Sequence, residues 1–333
     1  MRRLLVTSYG GPEGLEWVDT PEPAPGPGEV VARVSAFSIL WADILERQGR
    51  YPGQPEAPFA SGHEFTGVVV AVGPGVEQPQ VGTRVFGTIP QGGAAAELVV
   101  APAHVLYPVP DAVDDIAAAA MFATYVTAEV GITTFARLAP TDTVLIHAAA
   151  GGLGSACLQL CRAHGAHTIV ATAGGAEKVA RVAEWGADVV VDYRSGDFVT
   201  AALEATGGAG VDIVLESVGG EVLGRSFDCI APGGRMVCMG ASSGRSSDRF
   251  RLHTLFEKGI SISGFTLGLW IDAGLPAVAE AADRVLTFAA EGAIAPVIAG
   301  VFAPDEIAEA HRLFESRAAI GRIVVSFDAP GAG

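Results

Sequence analysis

A chain of 333 residues, half of them hydrophobic, exceeds the roughly 250–300 residues at which one core stops growing, so two domains are expected. The formal charge of −16 repels phosphate backbones, and no basic stripe with interleaved aromatics offsets it, which argues against nucleic-acid binding. No apolar run reaches the roughly 20 uncharged residues of a membrane span, and residues 1–6 are too short for a signal peptide, so a soluble, cytoplasmic protein without a membrane partner is expected.

The first hundred residues alternate β-rich runs with Gly and Pro, at 29–39, 65–72, 84–89 and 95–100, which predicts a small, mostly antiparallel, barrel-like domain. A helix follows over 114–138, with Asp114 and Asp115 favourably placed at its N-terminal end, as a bridge between domains. From residue 143 buried strands alternate with helical segments: 144–148, 168–172, 189–192, 213–216, 236–239 and 260–265. This is the order of a doubly wound parallel sheet, an α/β domain of Rossmann type. The chain closes with helix 276–291, strand 295–302, helix 304–316 and strand 322–327. The last strand has no room for another βαβ unit, so the tail is expected to return to the N-terminal domain. The expected boundaries are 1–122, 123–267 and a returning segment 268–333.

The sharpest local signal is Val144-Leu145-Ile146-His147-Ala148-Ala149-Ala150-Gly151-Gly152-Leu153-Gly154-Ser155, a strand running into a Gly-rich turn and a helix. Its core, Ala149-x-Gly151-x-x-Gly154, departs from Gly-x-Gly-x-x-Gly at the first position. Small residues let the backbone approach a pyrophosphate, whose charge the free N–H groups of the helix N-terminus then hold. The alternative is a plain tight turn, but the strand, the helix and the five strands that follow all agree with a dinucleotide site. An NAD site would carry Asp or Glu roughly 20 residues further on, at the end of the second strand. Ala173-Gly174-Gly175 stand there instead, with Lys178 in the next helix and Tyr193-Arg194 after the third strand. Nothing here repels a 2′-phosphate, which points to NADPH; the alternative for Lys178 is an ordinary solvated helix residue, although this chain has only one other lysine, Lys258.

The residues around the fingerprint resemble the quinone oxidoreductase branch of the medium-chain dehydrogenase/reductase superfamily, and the resemblance extends over nearly the whole chain. It includes Gly62-His63-Glu64 with Gly67 and Val72-Gly73, Gly240-Ala241-Ser242-Ser243-Gly244, Gly264-Phe265-Thr266-Leu267, and Ser316-Arg317 leading to Gly321-Arg322. It implies a GroES-like, mostly β domain beside the Rossmann domain, and a cofactor lined by Thr127, Ala150, Gly151, Gly152, Leu153, Gly154, Lys178, Tyr193, Gly240, Ser242, Phe265, Leu267 and Arg317. It also implies a homodimer joined edge to edge through the sixth strand, although the Ile–Ser alternation of 260–263 equally suits a solvated edge.

Zinc alcohol dehydrogenases share this fold, and their catalytic zinc needs an early thiolate, the His of a Gly-His-Glu motif and a second thiolate before the fingerprint. His63 and Glu64 are present, but the thiolate positions fall on Leu40 and near Ala123 or Thr124, and no cysteine precedes Cys157. One imidazole and one carboxylate do not make a tight tetrahedral site, so no metal is expected and His63 reads as a structural residue. Without a Lewis acid the suitable hydride acceptors delocalise charge themselves: quinones and double bonds conjugated to a carbonyl.

The segment 37–43 has Leu40 where the family has Asn, and Trp41 and Leu45 near the family's Tyr. Leu40 and Trp41 therefore suggest a pocket for an apolar or aromatic small molecule, or Trp41 is a core residue. Tyr51 is the remaining phenol that could serve as acid, or is a loop tyrosine packed on Pro52. The arginines of 245–251 could meet an anionic substrate group but suit a solvated, salt-bridged face. Cys157 and Cys161 share one helix face among apolar residues and read as buried small side chains.

The expected function is an NADPH-dependent, zinc-free reductase of quinones or α,β-unsaturated carbonyl compounds. The alternatives are a trans-acting enoyl reductase or tailoring enzyme on polyketide-like intermediates, and an NADPH-binding interaction protein with little turnover.

Overall fold

The computed structural model describes residues 1–53, 55–247 and 252–329. The chain forms two units, Met1–Ala123 with Pro296–Gly333, and Thr124–Ala295.

In the first unit a mostly antiparallel sheet runs in the order Ile298–Phe302, Arg322–Ser326, Glu29–Ser38, Glu64–Val72, Arg84–Thr88 and Leu106–Pro108, and Leu98–Pro102 also pairs with Glu29–Ser38. Glu29–Ser38 is the spine of this sheet, with Val30, Ala32 and Ala36 wholly buried. Its crossing with Glu64–Val72 depends on Gly67, where a Cβ would collide with the backbone of Arg33. Residues 1–6 supply strand Arg2–Val6, which pairs with Leu15–Asp19 and Phe59–Ala60. A short helix, Trp41–Arg47, which the strand pattern did not predict, follows the spine.

The return to this unit begins at Pro296, not at 268 as expected. Helix Pro276–Ala290 stays with the second unit because it buries an apolar stripe of Val278, Ala281, Ala282 and Val285, and its Arg284 Nε donates to the buried carboxylate of Glu129 at 2.6 Å.

The second unit holds six parallel strands in the order Val189–Asp192, Thr168–Ala173, Thr143–Ile146, Val211–Glu216, Ile230–Cys238 and Ser261–Gly264. This is the doubly wound order that reverses at the first strand of the unit. That strand, Thr143–Ile146, is buried throughout, as the continuous apolar run 144–146 requires of a central parallel strand. Ser261–Gly264 is the last strand in this order and pairs with Ile230–Cys238.

The single helix expected over 114–138 is broken into Asp115–Ala119, a π-helical turn Phe122–Val126, helix Thr127–Val130 and a second π-helical stretch Gly131–Ala136. Its start is capped as expected, by the Asp114 carboxylate accepting from Ala117 N at 2.8 Å. The first break coincides with Ala123, whose N–H leaves the helical ladder and donates to Glu64 Oε2 at 2.6 Å. No described helix is long and apolar enough to cross a membrane.

Candidate functional site

The turn after strand Thr143–Ile146 is built by backbone sterics. Ala148 adopts a left-handed φ of 52°, and its carbonyl accepts from Gly151 N at 2.9 Å. A Cβ at Gly154 would collide with that carbonyl and lie 2.7 Å from Ala149 Cα, so helix Gly152–Ala163 reaches the turn only because residue 154 has no side chain. Ala149, where the usual fingerprint has glycine, does not adopt a positive φ, so its methyl group is accommodated; the strain falls on Ala148. The turn is stitched to the next strand by Ala149 N donating to Thr172 O at 2.9 Å and Ala148 N to Thr172 Oγ1 at 3.2 Å. Beneath it His147 is buried, its pKa lowered to about 3 by desolvation, with Nε2 at 2.9 Å from Ser226 Oγ. A neutral floor leaves the N–H groups of the helix N-terminus as the positive feature of this turn.

Strand Thr168–Ala173 ends in Gly174-Gly175. The Tyr193 hydroxyl lies over Gly174 so closely that a Cβ there would clash, and Arg194 Nη1 would be 2.9 Å from a Cβ at Gly175. Lys178 lies in the first turn of helix Ala176–Glu184, its pKa lowered by partial burial and by the charge of Arg194. Two cations thus converge on this turn. The nearby Asp192 carboxylate accepts from Gly175 N at 3.1 Å and Arg194 N at 3.0 Å.

Ser242 N donates to Ser217 O at 3.0 Å, and Gly240 packs on the backbone of Ser217. Phe265 stacks on Phe135, centroids 4.9 Å apart and planes 18° apart, a pairing the sequence did not reveal. Leu267 and Thr127, both half-buried, open helices Leu267–Asp272 and Thr127–Val130. In a parallel sheet the carboxyl ends of all strands share one edge. Ala150–Gly154, the Gly174 turn, Tyr193, Gly240 and Phe265 each follow such an end, so the topology gathers them along that edge. Arg317, exposed with φ 57°, belongs to the first unit. Of the arginine loop, Arg245 is exposed, while Arg249 and Arg251 lie outside the described residues. Cys157 and Cys161 are buried, and burial pushes the Cys157 thiol up to about 12.

In the first unit Leu40 and Trp41 stand at the start of helix Trp41–Arg47, both half-buried, and Trp41 stacks on Phe314 at 6.1 Å and 17°. Tyr51 is half-buried, its phenol pKa raised by burial and by the charge of Glu46. Glu64 faces away from His63: wholly buried, it accepts from Ser38 Oγ, Arg322 Nη2 and Ala123 N. His63 instead meets two carboxylates that the sequence reading did not single out. Its Nε2 is 2.8 Å from Glu46 Oε2 and 3.8 Å from Asp43 Oδ1, while Nδ1 is 3.3 Å from the Ile89 carbonyl. Burial alone would lower its pKa, yet the bond to Glu46 and the charges of Asp43 and Glu46 hold it up at about 9. The signal was Asp43-x-x-Glu46, two carboxylates one helical turn apart.

A zinc–thiolate centre does not fit these residues. Leu40, Ala123 and Thr124 offer no thiolate, and the Glu64 carboxylate is committed to Arg322.

Comparison with known proteins agrees with this architecture. The zinc-binding dehydrogenase family profile matches residues 152–287, and that of the alcohol dehydrogenase GroES-like domain matches residues 26–111. The synaptic vesicle membrane protein VAT-1 homolog of Rattus norvegicus is 32% identical, over 98% of this chain and 84% of its own length. A mycocerosic acid synthase-like polyketide synthase of Mycobacterium tuberculosis is 35% identical over 99% of this chain, which spans 16% of that protein. Among solved structures, Escherichia coli quinone oxidoreductase complexed with NADPH superposes with a TM-score of 0.89 at 30% identity, covering 98% of this chain and all of the other. The chain belongs to the medium-chain dehydrogenase/reductase superfamily, in its quinone oxidoreductase-like part. It is an oxidoreductase whose fold binds a nicotinamide cofactor.

Proposed function

We propose that this protein is an NADPH-dependent, zinc-free reductase that delivers a hydride to a quinone or an α,β-unsaturated carbonyl compound. The observation that carries the reading is the convergence of Lys178, Arg194 and the Tyr193 hydroxyl on the Gly174-Gly175 turn, where the Asp192 carboxylate is held by the N–H groups of Gly175 and Arg194, beside a turn whose close helix approach only a glycine at 154 permits. Bound NADPH supplies the hydride. The turn 150–154 and the N-terminus of helix Gly152–Ala163 hold the pyrophosphate, and Lys178 with Tyr193 and Arg194 meets the 2′-phosphate. Thr127, Gly240, Ser242, Phe265 and Leu267 complete the lining within this unit.

Leu40 and Trp41 offer an apolar wall for a planar acceptor. The rate gain then comes mainly from orientation, which turns a bimolecular encounter into an internal one. A proton reaches the reduced acceptor from water or from Tyr51. A homodimer through the edge strand Ser261–Gly264 accompanies this reading.

A second reading, reduction of enoyl thioesters of polyketide type, is favoured by the 35% identity to a segment of a polyketide synthase. NADPH oxidation followed by absorbance across quinones, alkenals and enoyl thioesters, with NADH and a chelator as controls, tests both. Brisk, NADPH-preferring and chelator-insensitive turnover of quinones or enones supports the first reading, and turnover of thioesters alone supports the second. NADPH binding without turnover on any panel contradicts both and leaves a binding protein.

A further inference from the structure

Glu216, the last residue of strand Val211–Glu216, is wholly buried. Desolvation raises its carboxyl pKa and the N–H groups of Gly219 and Val218 lower it; among the described residues no cation takes part. A buried carboxylate without a counter-ion is costly, so its few bonds carry its purpose. We propose that Glu216 is a positioning residue for the nicotinamide half of the cofactor, acting through a clip between the turn 217–220 and the segment 240–245. This rests on the NADPH reading proposed above and extends it to the other half of the dinucleotide.

Three observations carry the proposal. First, the carboxylate builds the turn. Its Oε1 accepts from Val218 N at 2.8 Å and Gly219 N at 2.9 Å, and its Oε2 accepts from Gly219 N at 3.0 Å. The chain then enters helix Gly220–Cys229 through Gly219 at φ 77° and Gly220 at φ 58°, a left-handed pair that glycine adopts without strain.

Second, the turn carries the segment 240–245 on its other side. Ser217 O accepts from Ser242 N at 3.0 Å, Val218 O accepts from Ser243 N at 2.9 Å, and Gly220 N donates to Arg245 O at 2.9 Å. Val218 joins the two sets of bonds, since its N–H goes to Glu216 and its carbonyl takes Ser243 N. A Cβ at Gly240 would lie 3.1 Å from Ser217 O, and one at Gly219 would lie 3.0 Å from Arg245 O, so the two stretches of backbone stand as close as glycine allows.

Third, the topology assigns the clip to one half of the cofactor. A doubly wound sheet binds its dinucleotide across the point where the strand order reverses, one mononucleotide on each half. That point lies between Thr143–Ile146 and Val211–Glu216. Lys178 and Arg194, which meet the 2′-phosphate in the proposed reading, follow strands Thr168–Ala173 and Val189–Asp192 on one half. Glu216 and the segment 240–245 follow Val211–Glu216 and Ile230–Cys238 on the other. Gly240 and Ser242 thus reach the nicotinamide half from a segment seated on the Glu216 turn. Hydride transfer depends on how the nicotinamide is oriented, so Glu216 acts on it without touching a reacting atom.

The test uses the full-length protein and two probes, NADPH and adenosine 2′,5′-bisphosphate, which carries the adenine half alone. Dissociation constants by titration calorimetry, together with thermal midpoints, are read for wild type, Glu216→Leu, Glu216→Gln and Gly219→Ala. Glu216→Leu leaves two N–H groups without their acceptor, and its NADPH affinity should fall roughly tenfold, the scale of losing a hydrogen bond to a charged group, while the bisphosphate binds as in wild type. Glu216→Gln keeps Oε1 as an acceptor and should restore most of that loss. Gly219→Ala forces a methyl group toward Arg245 O and should show the same selective loss, so the clip is tested even where Glu216→Leu fails to fold. Equal weakening of both probes would overturn the proposal by reducing Glu216 to a general stabiliser, and so would unchanged NADPH binding in the folded variants. Glu216→Gln as weak as Glu216→Leu would overturn it by making the charge, not the acceptor, the agent. A wild type that binds neither probe would remove the NADPH reading itself, and this proposal with it.

Discussion

The two units solve the problem of building a site in opposite ways. In Thr124–Ala295 the essential features are backbone: a left-handed Ala148, a side-chain-free Gly154 and the free N–H groups of a helix start, with side chains added at the rim. In the unit formed by both chain ends they are buried charges, with Glu64 against Arg322 and Ser38, and His63 against Glu46 and Asp43. A backbone site tolerates sequence drift wherever small residues persist. A site of buried charges fails when any one partner is lost, because the desolvated remainder has no compensation.

The largest expected effect exploits this difference in the first unit. Glu64→Gln leaves the Arg322 guanidinium buried opposite an amide and should cost roughly 3–5 kcal/mol of stability, read as a lowered denaturation midpoint. In the second unit Gly154→Val should leave the sheet standing but push the helix off the Ala148 carbonyl. NADPH affinity measured by cofactor fluorescence should fall about 100-fold, or about 2.7 kcal/mol.

Each unit also buries one histidine whose pKa is lowered to about 3, His147 in one and His311 in the other. Since the unfolded chain binds their protons near pH 6.5, their effect on stability is constant above that pH. Below it stability falls as the pH falls toward 3, and at pH 5 each should cost about 2 kcal/mol, from 1.5 units at about 1.36 kcal/mol per unit. Because His63, held at about 9, favours the folded state as the pH falls through the same range, the share of His147 is read as the difference between wild type and His147→Gln in the change of stability from pH 8 to pH 5. Lys178→Ala should weaken NADPH about tenfold, or about 1.4 kcal/mol, and leave NADH unchanged, by direct titration of both. Asp114→Ala, which removes only a helix cap, should cost about 1 kcal/mol.

The same contrast explains what was legible in the sequence. The strand, turn and helix around Ala149-x-Gly151-x-x-Gly154 are contiguous, so residue spacing reports them directly, and the parallel strand order follows from their alternation with helices. The contacts of the first unit join distant residues: Glu64 to Arg322 across 258 positions and His63 to Glu46 across 17. No local pattern carries such pairings, although Asp43-x-x-Glu46 on one helix face hinted at the second. The broken helix after Asp114 has no local signal either, and the π-helical turn that follows it carries a bond from Ala123 N to the Glu64 carboxylate, 59 positions away. The C-terminal return was placed too early because helix Pro276–Ala290 reads as a generic amphipathic segment until its partner Glu129 is known.

The decisive measurement is a single turnover with NADPH carrying deuterium at both C4 positions of the nicotinamide and an α,β-unsaturated ketone, with the product analysed by mass spectrometry. Direct hydride transfer predicts one deuterium at the β-carbon of the saturated product, undiluted by solvent hydrogen. A product without deuterium, or bound NADPH that stays unoxidised with every conjugated acceptor, would contradict it.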